Sequence, residues 1–243
     1  MLFSDNGRSI ARGEIVNIAI GPDKNLYHIH KELICHHSEY FRTAYNDRWK
    51  ESDEGVALGD VEVEVFNIFV HWIYSQDLPR DICSALRIAE RKVPPPADLS
   101  PREAWWGLML RSAAFGDRFL AQNFQHLVHN IYVDSHWKEN NGRVYYFTGY
   151  KEIIWAFESL AADNPILNLM VDLQCLAWKE EYDDEEEKLL WSQLPHSFLL
   201  RIMQKQGTLS GQDRTKVVIK PCSYHLHATP EEKEACVWQH IQG

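Results

Sequence analysis

The residues best suited to chemistry lie near the C-terminus. The segment Cys222-Ser223-Tyr224-His225-Leu226-His227 is followed by Cys236-Val237-Trp238-Gln239-His240. Read as ligands, these give Cys-x2-His, ten intervening residues, then Cys-x3-His. Two thiolates and two imidazoles are the donor set of a tetrahedral structural zinc site, with Zn–S near about 2.3 Å and Zn–N near about 2.0 Å. The expected ligands are Cys222, His225, Cys236 and His240, with His227 as a spare that can replace either histidine. Zinc would staple a segment with little apolar periodicity, because metal-binding free energy becomes folding free energy where burial is scarce. The first pair is Cys-x2-His, where the commonest fingers have Cys-x2-Cys, so a tail that is merely packed or unstructured stands beside this reading.

No other constellation reaches the level of a site. The chain has no phosphate-binding Gly-x-x-x-x-Gly-Lys-Ser/Thr loop, no Gly-x-Ser-x-Gly elbow, no His-Glu-x-x-His pair and no Gly-x-Gly-x-x-Gly turn. Cys35, His36 and His37 are consecutive, and adjacent helical residues point in different directions, so they cannot form a thiolate-imidazole dyad. The expectation is therefore no catalytic residues and no cofactor besides zinc. Glu180 to Glu187 is acidic at seven of eight positions, a run that repels itself and reads as a solvated loop or helix end.

Composition narrows the function classes. The 243 residues carry 25 Lys and Arg against 35 Asp and Glu, a net charge of −10, which disfavours general attraction to phosphate backbones or acidic membranes. Hydrophobic residues make up 45%, enough to bury a core. No apolar run of about 18 residues and no leader-like N-terminus is present, which implies a soluble intracellular protein of cytoplasm or nucleus. Five cysteines, scattered, are expected to be reduced. The nine tryptophans mostly fall among apolar residues of helical stretches, where packing is their expected role.

The elements that must position these groups can be read from periodicity. Val16, Ile18 and Ile20 alternate before a Gly-Pro-Asp turn, and Leu26 to His30 alternates again, which predicts a β-hairpin. A short helix follows, then a second one capped by Ser38 with Tyr40, Phe41, Ala44 and Tyr45 on one face. Val56 to Leu58 reads as a brief strand. Asp60 is the expected cap of a helix carrying Phe66, Phe69, Val70, Ile73 and Tyr74. Residues 76–100, with Pro94, Pro95 and Pro96, read as an inserted loop. Ser100-Pro101-Arg102-Glu103 is a capping box with proline at the first helical position. Its helix has a face of Ser112, Ala113 and Gly116 that allows close approach to a neighbour. Helices are expected over 151–160, from Asn164-Pro165 onward and over 195–206, ending at Gly207.

One stretch of this pattern is distinctive: Val16-Asn17-Ile18-Ala19-Ile20-Gly21, then Tyr27-His28-Ile29-His30-Lys31-Glu32-Leu33-Ile34-Cys35-His36-His37-Ser38-Glu39-Tyr40-Phe41. It resembles a BTB/POZ domain, whose signature is matched at Tyr27, Ile29, His30, Lys31, Leu33, Ser38, Tyr40 and Phe41. The likeness runs on through Glu51-Ser52, Gly59-Asp60-Val61 and Trp72-Ile73-Tyr74, in the style of fungal BTB proteins with a helical tail. Where many members have Asp at the start of the first strand, this chain has Ile15 beside Glu14.

The resemblance implies an α+β BTB/POZ fold, a small sheet with surrounding helices, over residues 10–133. A helical region at 144–207 and a Cys/His-containing tail at 208–243 would follow. It also implies a non-catalytic protein-protein interaction module, acting as a dimerisation scaffold or a cullin-RING ubiquitin ligase adaptor, with a second copy or a cullin as partner. Ile88-Ala89-Glu90 matches the hydrophobic-x-Glu contact of cullin-binding members; the alternative reading of Leu86 to Arg91 is a short solvated helix. His30 is expected to complete a local hydrogen-bond network. The competing reading is a zinc-dependent regulatory or nucleic-acid-binding protein that uses the C-terminal Cys/His cluster.

Overall fold

The computed structural model describes residues 13–46, 55–78, 82–89, 100–137, 146–213 and 216–239. Glu51-Ser52, Glu90, the three consecutive prolines and His240 lie outside the described residues. The chain divides into two compact units, Met1–Gln125 and His126–Gly243.

In the first unit, β1 (Ile15–Ile20) pairs antiparallel with β2 (Asn25–His30), with Ile15 opposite His30 and Ala19 opposite Leu26. The turn between them needs left-handed backbone at Gly21 (φ 74°) and Lys24 (φ 52°). β3 (Val56–Leu58) adds parallel to β1, giving the strand order β2-β1-β3. Alternation decides the faces: Val16, Ile18, Ile20 and Ile29 point into the core, leaving Ile15, Asn17, Leu26 and His28 exposed.

Helices cover the buried face. α1 (Lys31–His37) leads into α2 (Glu39–Ala44), then α3 (Val63–Ser75), α4 (Ile82–Ile88) and α5 (Pro101–Arg118). Ser38 caps α2 as expected, its hydroxyl accepting from the Phe41 amide at 3.2 Å. The same hydroxyl donates to the Phe119 carbonyl at 2.6 Å, which fastens the cap to the end of α5. The core is aromatic: Phe69 meets Phe41, Phe66, Trp72, Phe115 and Phe124 at centroid distances of 5.1–6.4 Å. Pairs at this spacing add to the burial of their area. The capping box of α5 closes in both directions, the Ser100 amide donating to Glu103 Oε2 at 2.7 Å and the Glu103 amide to Ser100 Oγ at 3.3 Å.

Two expectations fail here. The residue before α3 is Glu62, without a side-chain cap, while Asp60 instead accepts from Arg118 at 2.6 Å. Residues 76–100, read as a loop with at most a short solvated helix from Leu86 to Arg91, contain α4 over Ile82–Ile88, which is not fully solvated because Ala85 is completely buried.

α6 (Gln122–Asp134) contributes its first turn to the first unit and its remainder to the second. The second unit continues with α7 (Tyr150–Ser159), α8 (Pro165–Ala177), α9 (Glu185–Leu189), α10 (His196–Leu209) and α11 (Pro230–Gln239), with short 3₁₀ turns between. Asn164 caps α8 by accepting from the Ile166 amide at 3.0 Å. α10 runs through Gly207 to Leu209 rather than stopping there. The core of this unit comes from Ile153, Ile166, Leu169, Met170, Leu173 and Phe198. The first unit is thus α+β, with a small three-stranded sheet, and the described residues of the second are α-helical.

Candidate functional site

In the second unit, residues 222–227 lie along α6. Asn130 and Asp134, one helical turn apart, are neighbours on the helix surface. Asn130 grips the backbone of Leu226 from both sides: Leu226 N donates to Asn130 Oδ1 at 2.9 Å and Asn130 Nδ2 donates to the Leu226 carbonyl at 3.0 Å. His129 Nε2 donates to the Tyr224 carbonyl at 2.8 Å, and the Tyr224 hydroxyl donates to Asp172 at 2.6 Å. These bonds fix His225 between a carboxylate and a thiol. Its Nε2 lies 2.9 Å from Asp134 Oδ1, and its Nδ1 lies 3.2 Å from Cys236 Sγ. Cys236 Sγ is in turn 2.9 Å from Cys222 Sγ.

Cys222, His225 and Cys236 therefore converge, all three ligand atoms lying within 4.8 Å of one another. The pairing joins the 3₁₀ turn Pro221–Ser223 to α11, fourteen residues apart in sequence. Burial, together with the neighbouring Cys236 sulfur, pushes the Cys222 thiol up to about 12. Two sulfurs this close in a shielded position cannot both ionise without a cation. Of the other expected ligands, His240 lies outside the described residues, and His227 stands apart from the cluster, its ring centroid 6.0 Å from that of His225. His227 Nε2 is buried without a hydrogen-bond partner among the described residues. Asp134, Asn130 and His129 carry no local sequence signal, because they act on residues more than ninety positions away.

The other candidate residues are accounted for structurally. The His30 amide donates to the Tyr74 hydroxyl at 3.3 Å, and that hydroxyl donates to His30 Nδ1 at 2.9 Å. Lys31 pairs with Glu14 at 3.0 Å. The Cys35 thiol donates to the Phe41 carbonyl at 3.5 Å, and burial raises its pKa, which disfavours the thiolate. Of Ile88-Ala89-Glu90, Ala89 is buried and its carbonyl accepts from Asn67 at 3.1 Å, while Glu90 lies outside the described residues.

The acidic run differs from the solvated reading most at Asp183, with Glu187 half-buried beside it. Asp183 is buried and accepts from the Tyr150 hydroxyl at 2.7 Å, Trp178 Nε1 at 2.8 Å and Trp191 Nε1 at 3.0 Å. Asp184 caps α9, while Glu185 and Glu186 face solvent. Two of the tryptophans read as packing residues thus also serve as donors to a carboxylate.

Residues 9–91, roughly a third of the chain, match the family model of the BTB/POZ domain. The chain carries a BTB/POZ domain. The match spans the three-stranded sheet and α1 to α4. BTB/POZ domains are protein-protein interaction modules, and that role comes to the chain with the domain. No curated protein matches the chain. Among the described residues, no helix is long and apolar enough to cross a membrane.

Proposed function

We propose that the protein is a non-catalytic scaffold whose BTB/POZ domain binds a second copy of the chain. The observation that carries this reading is the outer face of the β1–β2 hairpin. Ile15 and Leu26 expose 57% and 59% of their surface there, on the side of the sheet turned away from the core. Between them stand Asn17 and His28, whose side chains bond to each other at 2.7 Å, and Ile15 sits opposite His30, held by Tyr74. A sheet face with exposed aliphatic side chains on either side of a polar pair offers a partner both apolar area and hydrogen-bonding groups. An isologous dimer would use this face twice.

Co-expression of a tagged and an untagged copy, followed by capture on the tag, tests the reading. Retention of the untagged copy supports it. Capture of the tagged copy alone refutes it, and capture of a cullin in place of the second copy puts the ubiquitin-ligase adaptor role in its place.

A further inference from the structure

We infer that Cys222, Cys236 and His225 form a zinc site in which Asp134 orients the histidine. This goes beyond the scaffold reading and does not depend on it. The two sulfurs and His225 Nδ1 face one another, at 2.9 Å between the sulfurs and 3.2 Å from nitrogen to Cys236. The opposite ring nitrogen, Nε2, is 2.9 Å from the Asp134 carboxylate. A histidine that turns one nitrogen to thiol ligands and the other to a carboxylate has the arrangement of a metal-ligating imidazole, whose outer N–H is normally held by such a partner. The carboxylate fixes the tautomer: Nε2 keeps its proton and donates a hydrogen bond to Asp134, so the Nδ1 lone pair is the one turned toward the sulfurs.

Burial supports the assignment. The His225 side chain is only 5% exposed and Cys222 is buried, while Cys236 is half-buried and Asp134 closes the site from the solvent side. Its supports are built in as well, since Asn130 and His129 hold the residues on either side of His225 in place.

On binding, Zn²⁺ takes the place of the two thiol protons, which pass to solvent. Two thiolates and a neutral imidazole around a divalent ion make a site with no net charge. Tetrahedral geometry with Zn–S bonds of about 2.3 Å sets the two sulfurs about 3.8 Å apart, so entry of the ion requires them to separate by roughly 0.9 Å. The donor set favours zinc over calcium or magnesium, which take oxygen ligands. Zinc here would join the 3₁₀ turn at Pro221 to α11 and anchor both to α6 through Asp134.

The test uses the full chain, purified under reducing conditions. Elemental analysis is expected to find one zinc per chain, and Co²⁺ added to the chelator-stripped protein should give thiolate-to-cobalt charge-transfer absorption that saturates at one equivalent. Cys222→Ser should abolish that absorption. Asp134→Asn lies outside the ligand set and should keep the spectrum while weakening cobalt binding 10- to 100-fold, roughly the usual effect of losing an outer-shell partner. If Cys222→Ser does not fold, Asp134→Asn alone decides. No cobalt absorption in the reduced wild-type protein, metal content unchanged by Cys222→Ser, or unchanged cobalt affinity in Asp134→Asn would overturn the assignment. So would a Cys222–Cys236 disulfide, seen as an intact mass lower by two hydrogens, in protein that takes up no metal after reduction.

Discussion

The Tyr150 hydroxyl donates to Asp183 at 2.7 Å, and this bond ties the first residue of α7 to the middle of an acidic run. Trp178 and Trp191 donate to the same carboxylate, so one buried anion collects three neutral donors. Burying a carboxylate is costly unless its oxygens are satisfied, and here they are. Asp183→Ala removes the acceptor and strands the donors. A loss of about 3 kcal/mol is expected in the second unit, with Asp183→Asn losing less. Urea unfolding followed by tryptophan fluorescence measures both.

Ser38 makes two bonds from one hydroxyl, as the cap of α2 and as donor to the Phe119 carbonyl. Ser38→Ala loses the cap and leaves a buried carbonyl unpaired. The expected cost is about 2 kcal/mol, seen as a lower urea midpoint with an unchanged slope.

Gly116 lies in the interior of α5, where alanine would ordinarily stabilise a helix by about 1 kcal/mol. A Cβ there would come within 2.8 Å of the Gln125 backbone, which cannot retreat as a flexible side chain could. The clash outweighs the propensity gain, so Gly116→Ala is expected to destabilise by about 1–2 kcal/mol. A raised melting temperature in this variant would show that the close approach does not exist.

His129 and His136 are fully buried, and desolvation lowers both to about 4. His136 is held in its neutral form, Nδ1 donating to the Tyr132 carbonyl at 2.9 Å and Nε2 meeting Thr148 at 3.2 Å. The unfolded chain takes up protons near pH 6.5, whereas the folded protein does so only near pH 4. The stability these residues contribute is therefore complete above pH 6.5 and is lost as pH falls toward 4, by up to about 3 kcal/mol for each. Glu187, half-buried and raised by desolvation, works in the opposite sense but is more exposed to screening. Urea midpoints at pH 7 and pH 4.5 should show a clear drop, smaller in His136→Gln.

Local signals account for what was legible in the sequence. Strand alternation, the Ser38 and Asn164 caps and the Ser100–Glu103 box depend on residues a few positions apart, and each appears in the structure where the pattern predicts it. The His30-Lys31 signature likewise led to the BTB/POZ domain. Long-range competition was not legible. Asp60 leaves its expected capping role for Arg118, 58 residues on, and Asp183 is drawn from an apparently solvated run by aromatic donors. In the candidate site, cysteine and histidine spacing indicated Cys222, His225 and Cys236. Asp134, 91 residues before His225, could be found only once the fold had brought it there.

Self-association through the hairpin is measured most directly by light scattering of the full chain across a concentration range, wild type beside Ile15→Glu/Leu26→Glu. Both side chains are exposed, so the double variant should keep its fold, checked by an unchanged circular-dichroism melt. The account predicts a wild-type mass of twice the 28.4 kDa chain and a double variant at the mass of one chain. A wild-type protein that stays at one chain mass at every concentration, or a double variant that still pairs, would contradict it.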